Sequence, residues 1–198
     1  MDGLPFSQAC ENNKQPILDR IQPLLQDREQ VLEIGSGTGQ HAVHIAAAMP
    51  KLTWLPTEIE SQLPVLNPRC DAFAGTNIAA PAALDVCARP WPLPVPDAMY
   101  TANTLHIMPW SAVESLFEWL AAHAPDGFLL LVYGPFNYGG HYTADSNARF
   151  DEWLKERDPL IGIRDFEVVD ALATQAGLSL IGDEVMPANN RLLAWRRG

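Results

Sequence analysis

Three carboxylates, two imidazoles, two phenols and an amide stand in this chain where short apolar runs end, and each type has chemistry to offer. Glu33 closes the run Val31-Leu32 and opens Glu33-Ile34-Gly35-Ser36-Gly37-Thr38-Gly39. Glu58 follows Leu52-Thr53-Trp54-Leu55, and Asp85 follows Ala83-Leu84. Asn103 and His106 close Ala98–Leu105, and Tyr133, Tyr138 and His141 lie in and after Phe128–Val132. Carboxylates accept hydrogen bonds from ribose hydroxyls and amino groups and attract cations. Imidazole titrates near neutrality and is suited to moving a proton. Glycines at 35, 37 and 39 leave backbone N–H groups bare at a strand-to-helix turn, where the positive helix end faces a ligand.

Spacing narrows the ligand. A dinucleotide fingerprint requires glycine three positions after its second one, and Gln40 stands there. Glu33 sets a carboxylate beside the turn, which would repel a pyrophosphate and attract a cation. S-adenosylmethionine (SAM) is a nucleoside carrying an ammonium and a sulfonium and no phosphate. The segment Glu33-x-Gly35-x-Gly37-x-Gly39 resembles motif I of the class I SAM-dependent methyltransferases, and Leu84-Asp85-Val86 resembles a later motif of that class. Gly35, Ser36 and Gly37 are then the expected backbone cradle. Glu58, 23 positions after Gly35, is the expected partner of the ribose 2′- and 3′-hydroxyls, although NAD carries the same ribose. Asp85 and Val86 are expected beside the adenine. Alone, Glu58 reads as an exposed glutamate and Asp85 equally as a loop aspartate; three acids at three successive strand ends make the case together.

Periodicity supplies the frame that must hold these groups. Strands are expected at 31–34, 52–55, 83–86, 98–105 and 128–133, and helices at 40–48, after Ser111, near 145–154 and after Asp165. Residues 1–15 read as polar and irregular, with Pro16 opening a helix on which Ile17, Ile21, Leu24 and Leu25 share a face. Prolines at 64, 68 and 81 predict a short, broken helix between 59 and 81. Ser111 and Glu114 form a capping box. Val168, Val169, Leu172 and Ala176 are expected inward, with Gly177 as the stop. Leu178–Met186 and Arg191–Trp195 are expected as a closing hairpin. Alternating strands and helices imply an α/β fold: a Rossmann-like, doubly wound, mostly parallel seven-stranded sheet with a C-terminal antiparallel hairpin. Such sheets bind ligands beyond the carboxyl ends of their strands. No repeat or second domain is visible, so residues 1–198 read as one domain, with 1–30 as an N-terminal lid and helix.

Composition excludes other classes. Of 198 residues 47% are hydrophobic and 19% charged, and the formal net charge is −11, so neutralising a nucleic-acid backbone is not expected. No membrane-length apolar run exists, and Met1–Gln8 lacks the features of a signal peptide. Cys10, Cys70 and Cys87 are odd in number and far apart, which suits reduced thiols in the cytoplasm. His41 and His44 share a helix face without a third ligand, so no metal site is expected.

The acceptor side is less specific. Asn103 and His106 are expected next to the methyl group, with Tyr133, Tyr138 and His141 shaping the acceptor site from the ring-rich segment Tyr133–Tyr142. The Asn-Pro-Pro-aromatic signature of amide and exocyclic-amine methylation is missing. Methyl transfer is an in-line displacement governed mainly by alignment, with His106 or His141 as base where the acceptor keeps a proton. These features point to a SAM-dependent methyltransferase with a small-molecule substrate and an unspecified oligomeric state. Cyclisation or cleavage of SAM itself, or a nicotinamide-dependent oxidation, are the alternatives.

Nearly the whole chain also resembles the methyltransferase-like protein 26 family, catalogued as a domain of unknown function. The matching pieces are Ala9–Ile17, Val31–His44, Ala102–His106, Gly134-Pro135-Phe136, Asn147–Asp151, Asp165-Phe166-Glu167 and Met186–Asn190. The resemblance implies a class I methyltransferase fold and SAM binding. It implies that Glu11, Asn12 and Lys14 belong to a lid over the cofactor, and that Asn189 and Asn190 reach the pocket. The prolines between 59 and 81, and glutamate rather than aspartate at 58, depart from that family's pattern.

Overall fold

Ser7, well before Pro16, opens the first helix. Its hydroxyl accepts from the Cys10 N–H at 3.3 Å and caps α1, Gln8–Ile21, in a computed structural model that describes residues 3–198. The irregular start expected for residues 1–15 is therefore corrected over 8–15, while residues 1 and 2 lie outside the described residues. Pro16 sits inside α1, where it forfeits one amide bond; the cap and the buried Ile17, Leu18 and Ile21 carry the helix across it. Pro23 lies in a 3-10 turn, Gln22–Leu24.

The chain forms two compact units, one ending at Thr101 and the other running from Ala102 to Gly198. In the first, β1 (Gln30–Ile34), β2 (Thr53–Glu58), β3 (Ala82–Ala83) and β4 (Ala98–Ala102) run parallel, and Leu32 stands opposite Leu55 and Met99. Val31 and Leu32 are fully buried, as expected of a strand covered on both faces. Between these strands come α2 (Gln40–Ala48) and α3 (Leu63–Asp71). β3 and β4 are shorter than expected, so Asp85 and Asn103 stand in turns just beyond them. α3 keeps nine residues despite its prolines, because Pro64 occupies the first turn, where its missing N–H has no partner to lose.

The second unit contains α4 (Trp110–His123), β5 (Leu129–Gly134), β6 (Phe136–Asn137), α5 (Asp145–Arg157), β7 (Arg164–Asp165), α6 (Phe166–Gln175), β8 (Leu178–Met186) and β9 (Asn190–Arg197). Every residue of β5 is buried, as its unbroken apolar run requires. β5 pairs antiparallel with β9, and β9 with β8, while β6 and β7 form a separate two-stranded ribbon that sequence patterning did not disclose. The main sheet has the order β3-β2-β1-β4-β5-β9-β8. This is the expected mostly parallel seven-stranded α/β sheet with its closing hairpin.

Two local expectations fail. α4 starts two residues earlier, at Trp110 after Pro109, and its start has no side-chain cap bond, so Ser111 and Glu114 make no capping box. Val168 is 47% exposed while Val169 is fully buried, because α6 is covered along a narrower stripe than the apolar pattern suggests.

Asp151 on α5, only 1% exposed, holds the approach to β7. One carboxylate oxygen accepts from the Ile163 N–H at 2.6 Å, and the other from Tyr142 Oη and Lys155 Nζ, both at 2.6 Å. Burial pushes this carboxyl up, but its three donors together carry it below its ordinary value. Asp151→Ala strands a buried N–H and a hydroxyl, so chemical denaturation should show a loss of about 3 kcal/mol. A change below about 0.5 kcal/mol would contradict this assignment. Among the described residues, no helix is long and apolar enough to cross a membrane.

Candidate cofactor and acceptor sites

The turn from β1 to α2 is built from left-handed glycines. Gly37 has φ +55°, and a Cβ placed on it would meet nothing within 4 Å. Its N–H donates to Glu58 Oε1 at 2.9 Å. A side chain there would be strained and would fill the open space in front of the turn. Gly39, φ +73°, is required for a different reason: its Cβ would lie 3.1 Å from Leu66 Cδ1, so α3 packs directly on the start of α2.

Ser36 ties the turn to β2. Its N–H donates to the Thr57 carbonyl at 2.9 Å, its hydroxyl accepts from the Thr57 N–H at 3.1 Å, and Thr57 Oγ1 donates to the Glu33 carbonyl at 2.6 Å. Glu58 ends β2 with Oε1 on Gly37 and Oε2 accepting from the Ile59 N–H at 3.1 Å. The acid expected to take a ribose thus also braces the glycine turn.

Glu33 differs from expectation. It is 1% exposed, and Oε2 accepts from Trp54 Nε1 and Ser36 Oγ, each at 2.8 Å. Its carboxyl is pushed up to about 7, by burial first and by the like charge of Glu58 to a smaller extent, against the two hydrogen bonds that favour the charged form. Glu33 is therefore an internal brace, partly protonated near neutrality, rather than a fixed charge offered to a cation. Asp85 is exposed two residues beyond β3; its Oδ1 accepts from the Cys87 N–H at 2.8 Å, while Val86 is 5% exposed.

Gln40 was missed as a functional position. It occupies the place where a dinucleotide fingerprint has glycine, and its side chain, 4% exposed, clasps the N-terminal segment. Its Oε1 accepts from the Ser7 N–H at 2.6 Å and from Thr38 Oγ1 at 2.9 Å, and its Nε2 donates to Glu11 Oε2 at 3.1 Å. Arg69 adds a second clasp, its guanidinium donating to the carbonyls of Thr38 and Pro5 at 2.8 and 2.5 Å. Among the expected lid residues, Glu11 also pairs with Lys14 Nζ at 2.6 Å, while Asn12 is exposed and accepts from Gln8 Nε2. His41 Nε2 lies 2.7 Å from Asn13 Oδ1, a buried tie between α1 and α2. Gln40→Ala should raise amide exchange over residues 7–14 at least tenfold while the exchange of β1 is unaltered; equal protection in both proteins would contradict the clasp.

In the second unit, Asn103 has φ +55°, and its N–H donates to the Tyr133 carbonyl at 2.8 Å. Tyr133, 2% exposed, accepts at its hydroxyl from Asn190 Nδ2 at 3.0 Å. His106 is 6% exposed, its ring edge-on to Phe150 with centroids 5.4 Å apart. Gly134 adjoins the imidazole: a Cβ placed on it would stand in ordinary van der Waals contact, 3.6 Å from His106 Nδ1. Asn103, His106, Tyr133 and Asn190 therefore form one cluster. The His106 imidazole is lowered to about 4, by burial first and then by the charge of Arg164, with Asp151 opposing weakly. The near-neutral value expected for this histidine is corrected.

Tyr138 and His141 do not join that cluster through the contacts they make. Both oxygens of Asp183 accept from the Tyr138 hydroxyl at 3.0 Å, and its ring stacks on Phe166 at 5.1 Å. Arg191 Nε donates to the same carboxylate at 2.7 Å. Burial and Asp183 push the Tyr138 hydroxyl well above its ordinary range. Tyr138 is a strap between β6 and β8 rather than an acceptor group. His141 is exposed and is joined to Tyr138 by two backbone bonds of 3.0 Å across Gly139-Gly140. Among the described residues, the non-glycine positions with positive φ are Asn103, Ala188 and Asn189 (φ +58° and +57° for the latter two, in the turn that delivers Asn190).

Solved structures share this fold. An O-methyltransferase family protein from Burkholderia thailandensis superposes with a TM-score of 0.82 at 15% identity, covering 96% of this chain and 57% of its own. Human N-acetylserotonin methyltransferase in complex with SAM gives 0.78 at 17% identity, covering 96% and 53%. Mitomycin 7-O-methyltransferase gives 0.79 at 16%, covering 96% and 54%. The chain thus spans just over half the length of these proteins. A family model described as "Protein of unknown function (DUF938)" matches residues 4–197.

Proposed function

The chain belongs to the DUF938 family of proteins of unknown function, and from the geometry of its glycine turn we propose that it is a SAM-dependent methyltransferase acting on a small molecule. One observation carries this reading: the Cβ-free face of Gly37 opens onto free space while its N–H is held by the carboxylate of Glu58. A nucleoside fits there, with the ribose hydroxyls on Glu58 and the backbone of Gly35, Ser36 and Gly37 alongside. Asp85, whose Oδ1 is engaged with the Cys87 N–H, would turn Oδ2 to the adenine amino group, with Val86 beneath the ring. A pyrophosphate would meet Glu58 at the amide it needs, which disfavours a nicotinamide dinucleotide. Glu11, Asn12 and Lys14, held by Gln40, would cover the cofactor. We extend the reading to kinship with the methyltransferase-like protein 26 family and to a cytoplasmic setting.

When bound, SAM supplies an electrophilic methyl carbon on a sulfonium. The chain's contribution is alignment, which can account for several kcal/mol of the barrier. Asn103, His106 and Tyr133 would hold the acceptor, and the names of the structural neighbours favour a hydroxyl oxygen. His106 is neutral at physiological pH and holds a proton weakly, so it orients the acceptor as a hydrogen-bond partner rather than storing its proton.

The test is incubation of the full chain with SAM and a panel of small hydroxylated compounds, following S-adenosylhomocysteine. Formation that depends on the acceptor is expected; breakdown of SAM at the same rate without any acceptor would favour cyclisation or cleavage instead. For an active acceptor, kcat at saturating SAM should show no pH limb between about 5.5 and 8 that His106→Asn removes. Such a limb would return His106 to the role of general base.

A further inference from the structure

A second hollow lies at the other end of the first unit's strands. Arg28 precedes β1, Leu52 precedes β2, and Ala48 ends α2; together with Leu25, Met49 and Lys51 they line a cavity of about 240 Å³. β1 separates this end from the glycine turn by roughly 15 Å at the rise of a strand. The floor is apolar: Leu25 is fully buried and Leu52 2% exposed. The rim is cationic on a chain whose net charge is −11.

Arg28 is the unusual member. Its Nε is buried, and among the described residues its guanidinium has neither a hydrogen bond nor an ion pair. Lys51, exposed on the same rim, has no ion pair among the described residues either. A buried donor without an acceptor is costly, and a guanidinium edge made of Nε–H and a terminal N–H matches the two oxygens of a carboxylate. Part of the negative end of α2, which would repel an anion, is offset: Asn77 Nδ2 donates to the carbonyls of Ala46 and Met49 at 3.0 and 3.1 Å, and to that of Leu52 before β2 at 2.9 Å.

We propose that this hollow binds a small amphipathic carboxylate, its charged end on Arg28 and Lys51 and its apolar body against Leu25, Met49 and Leu52. The site is separate from the proposed cofactor site and does not rest on that reading. Its volume suits a compact body of about ten non-hydrogen atoms, below the size of most ligand pockets.

The test is a 1H–15N NMR titration of the full chain with benzoate, its neutral isostere benzamide, and inorganic phosphate. Benzoate should saturate at about 5 mM or below. The shifted amides should centre on residues 25–28 and 48–52, with benzamide and phosphate each at least tenfold weaker. Arg28→Gln should weaken benzoate at least tenfold. Should that variant unfold, Lys51→Gln on the exposed rim should still weaken it severalfold. The proposal is overturned if benzoate fails to saturate, binds both variants as it binds the parent, or shifts amides elsewhere. Phosphate binding as tightly as benzoate would overturn the amphipathic part.

Discussion

Replacing Glu58 by alanine should weaken the calorimetric affinity for S-adenosylhomocysteine about a hundredfold. Two charge-assisted bonds to a ribose diol are lost, each worth about 1.5 kcal/mol, and together they give two decades. The same substitution removes the acceptor of the Gly37 N–H, so the turn loses a brace as well. Glu58→Gln separates the two contributions. Its amide oxygen can still accept from Gly37, while the negative charge that strengthens the diol bonds is gone, so about a tenfold loss is expected. An unchanged affinity in the alanine variant would refute the ribose assignment. Equal losses in both variants would show that charge, rather than the brace on Gly37, accounts for the whole effect.

The second large effect is on stability in acid. His41 and His106 are buried and neutral, and burial lowers both to about 4 from an ordinary 6.5. Below 6.5 the unfolded chain binds protons at these positions that the folded chain refuses, so folding loses stability as pH falls from 6.5 to 4. Glu33 acts oppositely: raised from 4.5 to about 7, it adds stability as pH falls through that interval. Between 6.5 and 4.5 one proton's worth remains, about 1.4 kcal/mol per pH unit, and below 4.5 two. About 4 kcal/mol should therefore disappear between pH 6.5 and 4, with the maximum of these three contributions near 6.5. Denaturant titrations at half-unit intervals read this directly. His41→Asn together with His106→Asn should remove the loss between 4.5 and 6.5, because Glu33 is then opposed by His44 alone, whose imidazole burial and the Lys14 charge lower. An unaltered slope in the double variant would place the acid sensitivity elsewhere.

Residues covered on both faces were the most legible part of the fold. Phe128–Tyr133 is an unbroken apolar run and Val31–Ile34 is apolar but for Glu33, and the structure buries both. Gly177 stops α6 at φ +77°, as a glycine beyond a helix should. Expectations failed where a tertiary partner outweighed a local signal. Pro16 looked like a helix start because the preceding segment is polar; that segment is tied down by Gln40, His41 and Arg69, and no short-range pattern records such ties. The Ser111–Glu114 spacing is correct for a capping box, but α4 begins after Pro109 instead.

In the candidate sites, residue types were readable and orientations were not. Glycine spacing identified the turn, and the departure at Gln40 argued against a dinucleotide without disclosing the clasp that Gln40 makes. Glu33 looked like an exposed charge because nothing in the sequence pairs it with Trp54, 21 positions away. Tyr138 looked available because its bond to Asp183 spans 45 positions. Asn190, which reads as a turn residue, meets the Tyr133 hydroxyl through the strained turn before it.

A crystal structure grown with S-adenosylhomocysteine tests the central claim most directly. The ribose hydroxyls should lie within hydrogen-bond distance of Glu58, with the amino-acid end along Gly35–Gly37. A diphosphate-bearing nucleotide bound across those amides in a parallel experiment, with the homocysteine compound leaving the turn bare, would contradict it.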